Sequence, residues 1–200
     1  MRKRNKKEGY NLLNEYKESF NYIRESKKFI YLVIGIFFFF VLFGYFIPAP
    51  QFLYQKIIEF ITELMEQTNG MSQIDLIQFI IFNNAKSTFI GILFGIALGI
   101  FPLISTVVNG YVLGFVSLLS VKSGGFLTLW KILPHGIFEL PAVFISLGLG
   151  IKIGTFIFQK KKIKSFANYF SKSLKVFLLI IIPLLIIAGI IEGTLMIFLN

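Results

Sequence analysis

The chain has 200 residues and no cysteine, which excludes disulfides and thiolate metal sites. Hydrophobic residues make up 56% of it, and its few charges bracket uncharged runs longer than a water-soluble core of this size needs, so it is a polytopic membrane protein. The net charge of +10 sits beside those apolar runs, where anionic lipid headgroups are the natural counter-charge; nucleic acid is not an expected partner.

From Met1 to Lys28 there are nine Lys or Arg against four Glu, with Leu13, Tyr16, Phe20 and Ile23 at three-to-four-residue spacing. That pattern predicts an amphipathic helix lying on the membrane surface. No cleavable secretory signal is expected here, because the first apolar run follows a long polar stretch and has no small-residue cleavage site after it. Phe29 to Ile47 is 19 residues without a charge and crosses roughly 30 Å of hydrocarbon at about 1.5 Å per residue. It ends at Pro48-Ala49-Pro50. Residues 51 to 86 mix apolar residues with Glu59, Glu63, Glu66 and Asp75. Asn69-Gly70 divides them into two short helices, the second opened by Ser72 and Asp75 in capping-box spacing.

Ser87 to Ile104 is the second predicted span and Val107 to Val121 the third, together 35 residues free of charge with the two between them. A single helix of that length overshoots the bilayer, so the break is expected near Pro102, with Asn109-Gly110 starting the return. The third span is then short, and tilted, broken or re-entrant. Phe126 to Leu133 reads as a short entry helix with Trp130 and Lys131 at the interface, and Pro134 as the start of the fourth span. Lys160, Lys161, Lys162 and Lys164 follow, and Val176 to Leu199 is the fifth span, carrying Glu192.

Residues 1 to 28 and 159 to 175 are both basic, whereas residues 48 to 86 are acidic on balance. The positive-inside rule puts both basic segments in the cytoplasm, four crossings apart, and sends the acidic segment and the C-terminus outside. The expected fold is all-α: a polytopic bundle of about five spans with an N-terminal interfacial helix. The expected division is 1–28 as a basic interfacial helix and 29–200 as one transmembrane domain with an external helical segment at 51–86.

Glycines recur at four-residue spacing: Gly91, Gly95 and Gly99; Gly110 and Gly114; Gly150 and Gly154; Gly189 and Gly193. On a helix each set shares a face and lets backbones approach, which is how helices associate where lipid removes the hydrophobic drive. The same faces suit a homo-oligomer contact.

His135 and Glu139 stand at i and i+4, on one helical face inside an apolar stretch. Ionisable groups at bilayer depth are costly, so they call for partners or a water-filled cavity. Asn84, Asn109 and Glu192 are the other candidates for an intramembrane polar network. Such a network either fixes helix register or carries a proton, ion or ligand. A metallopeptidase needs more ligands than one histidine and few carboxylates supply, so no metal, cofactor or catalytic residue is assigned.

The run Pro134-His135-Gly136-Ile137-Phe138-Glu139-Leu140-Pro141-Ala142 resembles the signature of the stage II sporulation protein M family of bacterial and archaeal membrane proteins. Phe82-Asn83-Asn84, Asn109-Gly110 and Ile191-Glu192 agree in type and order, and the likeness covers roughly residues 30 to 198. The resemblance implies a membrane scaffold: the family's namesake acts in engulfment beside two membrane-anchored wall-degrading proteins. It implies no catalytic residue; Asn84, Asn109, His135, Glu139 and Glu192 match its characteristic polar positions. The leading reading is therefore a non-enzymatic cell-membrane scaffold for membrane or envelope proteins. A small transporter or channel-like unit and an intramembrane metal-dependent hydrolase are the rivals.

Overall fold

The computed structural model describes residues 12–131 and 133–199; the side chains of residues 131, 133–135, 138 and 197–199 lie outside the described set. The described residues form helices α1 (Leu12–Glu25), α2 (Lys27–Phe46), α3 (Gln51–Thr68), α4 (Gln73–Leu93), α5 (Ile100–Gly124), α6 (Leu133–Gly154), α7 (Lys162–Val176) and α8 (Ile182–Leu199). Five helical stretches are long and apolar enough to cross a membrane: 27–46, 73–96, 100–124, 139–158 and 162–196. The first eleven residues of the expected N-terminal helix lie outside the described residues.

Helix α6 is the axis of the bundle. Of its span 61% is buried, against 22–39% for the other four. One side packs Ala142, Leu149 and Ile153 with Tyr22, Ile92, Val176, Ile181 and Leu185. The other packs Phe144, Leu147 and Ile151 with Ile30, Val33 and Phe37, the Phe37 and Phe144 rings meeting edge-on at 5.0 Å between centroids. Since lipid tails are as apolar as these side chains, close packing rather than burial from water holds the faces together.

Close packing is supplied where glycines remove side chains. A Cβ on Gly95 would land on the Gly150 backbone, and one on Gly154 on Gly99, so α6 and the end of α4 touch backbone to backbone. Helices α2 and α5 run parallel along a second such seam, Gly110 against the Phe37 carbonyl, Gly114 against that of Val41 and Gly44 against that of Tyr111. Gly189 and Gly193 of α8 lie on Ile81 and Ile77 of α4. This pairing order places the starts of α2, α5 and α8 and the ends of α4 and α6 at one end of the bundle, with α1 and α7; α3 and the end of α8 are at the other.

Three elements differ from the sequence expectation. The helix opened by Ser72, whose hydroxyl accepts from the Asp75 N–H at 3.3 Å, does not stop at residue 86 but runs on as the second span. Only residues 47–72 therefore lie between the first two spans. The break after it comes at Leu98 and Gly99, both left-handed at φ 59° and 72°, rather than near Pro102. Pro102 instead sits in the first turn of α5, where its missing N–H forfeits no helical bond, and the third span is a continuous helix of 25 residues. The basic stretch 159–175 is largely helical and joins the last span through a π-turn at Phe177–Ile181. Pro183 explains that turn, since it has no N–H to give to residue 179.

Candidate functional site

Asn84, Glu139 and Glu192 come from three mutually packed helices, α4, α6 and α8, and all three residues are half-buried. The Oε2 atoms of both glutamates are fully covered. Ser146 Oγ donates to the Thr88 carbonyl at 2.5 Å, fixing α6 against α4, and the contacts of Gly189 and Gly193 fix α8. That register sets Glu192, Glu139 and Asn84 at successive levels about 4–5 Å apart along the bundle axis. Within α6, Pro141 leaves the Ile137 carbonyl without its helical donor, adding a polar group beside Glu139. His135 occupies the turn before Glu139, but its side chain lies outside the described residues. Asn109 does not join this set. It is exposed on α5 and its amide donates to Ser105 O and Oγ at 2.8 and 3.1 Å, because a side chain turned away from the bundle finds its partners on its own helix.

Chemically, two half-buried carboxyls on packed helices suit register-setting hydrogen bonds or the holding of a proton. Among the described residues no three His, Cys, Asp or Glu side chains are grouped to hold a metal ion.

A second polar centre lies at the opposite end of α6. Lys152 is 8% exposed, and its ammonium donates to Ser26 Oγ at 2.9 Å, which in turn donates to the Tyr22 carbonyl at 2.6 Å. The same ammonium stands 3.8 Å from the Tyr22 ring centroid and 3.9 Å from a Glu25 carboxylate oxygen. Tyr22 donates its hydroxyl to the Tyr169 carbonyl at 3.3 Å, tying α1 to α7. Burial pushes the Tyr22 phenol well above its ordinary range, so it stays a neutral donor. Lys175 of α7 pairs with Glu15 and Glu18 of α1. The residue joining α1 and α2, Ser26, is thus held by the central helix through charge-assisted hydrogen bonding and cation–π attraction.

Sequence reasoning did not single out Lys152, Ser26, Thr88 or Ser146. A lysine interrupting an apolar run was the one visible signal. Its partners lie more than a hundred residues away and have no local periodicity.

An uncharacterized protein of Methanocaldococcus jannaschii is 38% identical over 110 residues, which is 48% of this chain and 46% of that protein, so the match spans about half of each. No solved structure matches. The family pattern described as Stage II sporulation protein M matches residues 33–195, from the first span through Glu192 and including the whole signature run around Glu139. A multi-pass bundle built on that helix, matched over most of its length, belongs to the Stage II sporulation protein M family.

Proposed function

We propose that this protein is a non-enzymatic cell-membrane scaffold, with residues 12–28 and α7 on the cytoplasmic face and residues 51–72 and the C-terminus outside. The observation that carries the reading is α3. It is an 18-residue helix whose single buried residue is Ile57, and it presents Phe52, Phe60 and Met65 together with Glu59, Glu63 and Glu66 away from the bundle. Exposed apolar side chains rimmed by charge mark protein-contact surfaces. The basic residues of α1 and α7 at the other end supply the positive-inside signal. The partners are envelope or membrane proteins that dock on α3, and the acids of α6 and α8 lock the platform.

The test is native electrophoresis of complexes extracted from the membranes of origin with mild detergent. The wild-type chain should migrate in an assembly well above its own 22.9 kDa. Changing Phe52, Phe60 and Met65 to Ser should dissolve that assembly without lowering the amount of protein in the membrane. Migration of the wild type as an isolated chain overturns the scaffold reading.

A further inference from the structure

The bilayer depth of Asn109 follows from its neighbours. Gly110 rests on the Phe37 carbonyl and Gly114 on that of Val41, so α5 runs parallel to α2 with Asn109 level with the middle of the first span. At about 1.5 Å per residue that level is roughly 15 Å from either end of α2, in the middle of the hydrocarbon. Asn109 is exposed there, on a face of α5 that it shares with Phe101, Ser105, Val108 and Val112. A carboxamide turned to lipid at that depth has no water to meet it, and polar groups in mid-membrane are placed against protein.

The hydrogen bonds of this face are incomplete in a complementary way. The Asn109 amide nitrogen donates to the Ser105 carbonyl at 2.8 Å and to Ser105 Oγ at 3.1 Å. Among the described residues nothing donates to Asn109 Oδ1, and the Ser105 hydroxyl, which accepts in that contact, has no acceptor of its own. One open acceptor and one open donor therefore stand side by side on a lipid-facing surface. Copies of a membrane protein insert with one orientation, so a two-fold axis relating two of them runs along the bilayer normal, and each level of one helix meets the same level of the other. Such a pair satisfies both open groups reciprocally. The glycine seams cannot serve this purpose, since Gly110 and Gly114 are filled by α2 and Gly95 and Gly99 by α6.

We propose that this face of α5 is the contact of a parallel homodimer, in which the Ser105 hydroxyl of each copy donates to the Asn109 carboxamide oxygen of the other. Val108 and Val112 flank the bonds and are short enough to let the two helices approach. In hydrocarbon the polar pair selects the partner, because apolar faces gain little over lipid tails. The contact uses α5 alone and stands whether or not α3 docks envelope proteins.

Full-length protein carrying Val112→Cys, in a chain with no cysteine of its own, is reconstituted in liposomes and oxidised with copper phenanthroline. Phe39→Cys, at the same depth on the exposed face of α2, is the control for random collision. The Val112→Cys protein should form a disulfide-linked dimer that persists as lipid is added, whereas crosslinking through Phe39→Cys should fade. In the Val112→Cys background, Asn109→Leu and Ser105→Ala should each weaken dimerisation about tenfold while the reconstituted protein melts as before. Crosslinking through Val112→Cys no stronger than through Phe39→Cys, or unchanged by Asn109→Leu, overturns the dimer. A Val112→Cys adduct with a different protein in the membranes of origin assigns the face to that protein and also overturns it.

Discussion

Gly95→Leu is the sharpest test of how the bundle is held together. Gly95 lies in the 3₁₀ turn at the end of the second span, and even the first carbon of a side chain there would fall on the backbone of Gly150 in α6. Because the obstacle is backbone and not the end of a flexible side chain, the two helices must separate, opening the seam that also includes Gly91, Gly99 and Gly154. Overpacking costs about 1–3 kcal/mol, and a backbone obstacle puts this case at the upper end of that range. For a chain of 150–250 residues roughly 2–4 °C of melting temperature accompanies each kcal/mol, so a loss of about 6–12 °C is expected in detergent. Gly35 supplies the control, since nothing lies within 4 Å of a carbon added there. Gly35→Ala should leave the melting temperature unchanged or raise it slightly, as alanine is the better helix former by up to about 1 kcal/mol. If both variants melt with the wild type, the glycine seam does not hold the fourth span in place.

Leu98, left-handed at φ 59° and about half exposed, is strained for a branched side chain; Leu98→Gly should stabilise the fold by about 1 kcal/mol, read by the same melt, and a loss of stability contradicts the strain argument. Glu139→Gln keeps shape and hydrogen bonding and should fold normally, whereas Glu139→Leu should cost about 1–3 kcal/mol; equal stability of the two places the carboxyl outside any polar junction. Lys152→Met removes the donor that holds Ser26, so α1 should loosen from α7, and a cysteine at Ser19 should react with maleimide faster in that background than with Lys152 present. A cysteine at Gln67, in a chain that has none of its own, should be labelled from outside the cell; labelling only from the cytoplasmic side reverses the topology.

Much of this molecule was decided by sequence alone. Runs such as Phe29–Ile47 have one low-energy solution in a bilayer, a helix that satisfies its own backbone, so the class and the number of spans follow from hydropathy. Glycine spacing marked the faces able to pack, and the run around Glu139 marked the family, because both are local patterns. Boundaries were less legible. Asp75 and Lys86 made residues 73–86 look external, yet a helix once capped at Ser72 has no reason to stop, and charge near a span's end is tolerated. What only the tertiary structure decided is which helix is central and which polar groups meet. Helix α6 is less apolar than the first and last spans, and it is the axis because glycines on its own and facing helices let it approach closely. Asn109 and Asn84 are alike in sequence, but one is exposed and turns back to Ser105 whereas the other is half-buried on α4. Lys152 lies against Ser26 and Tyr22 because folding brings together segments more than a hundred residues apart, and that proximity leaves no periodic trace in the chain.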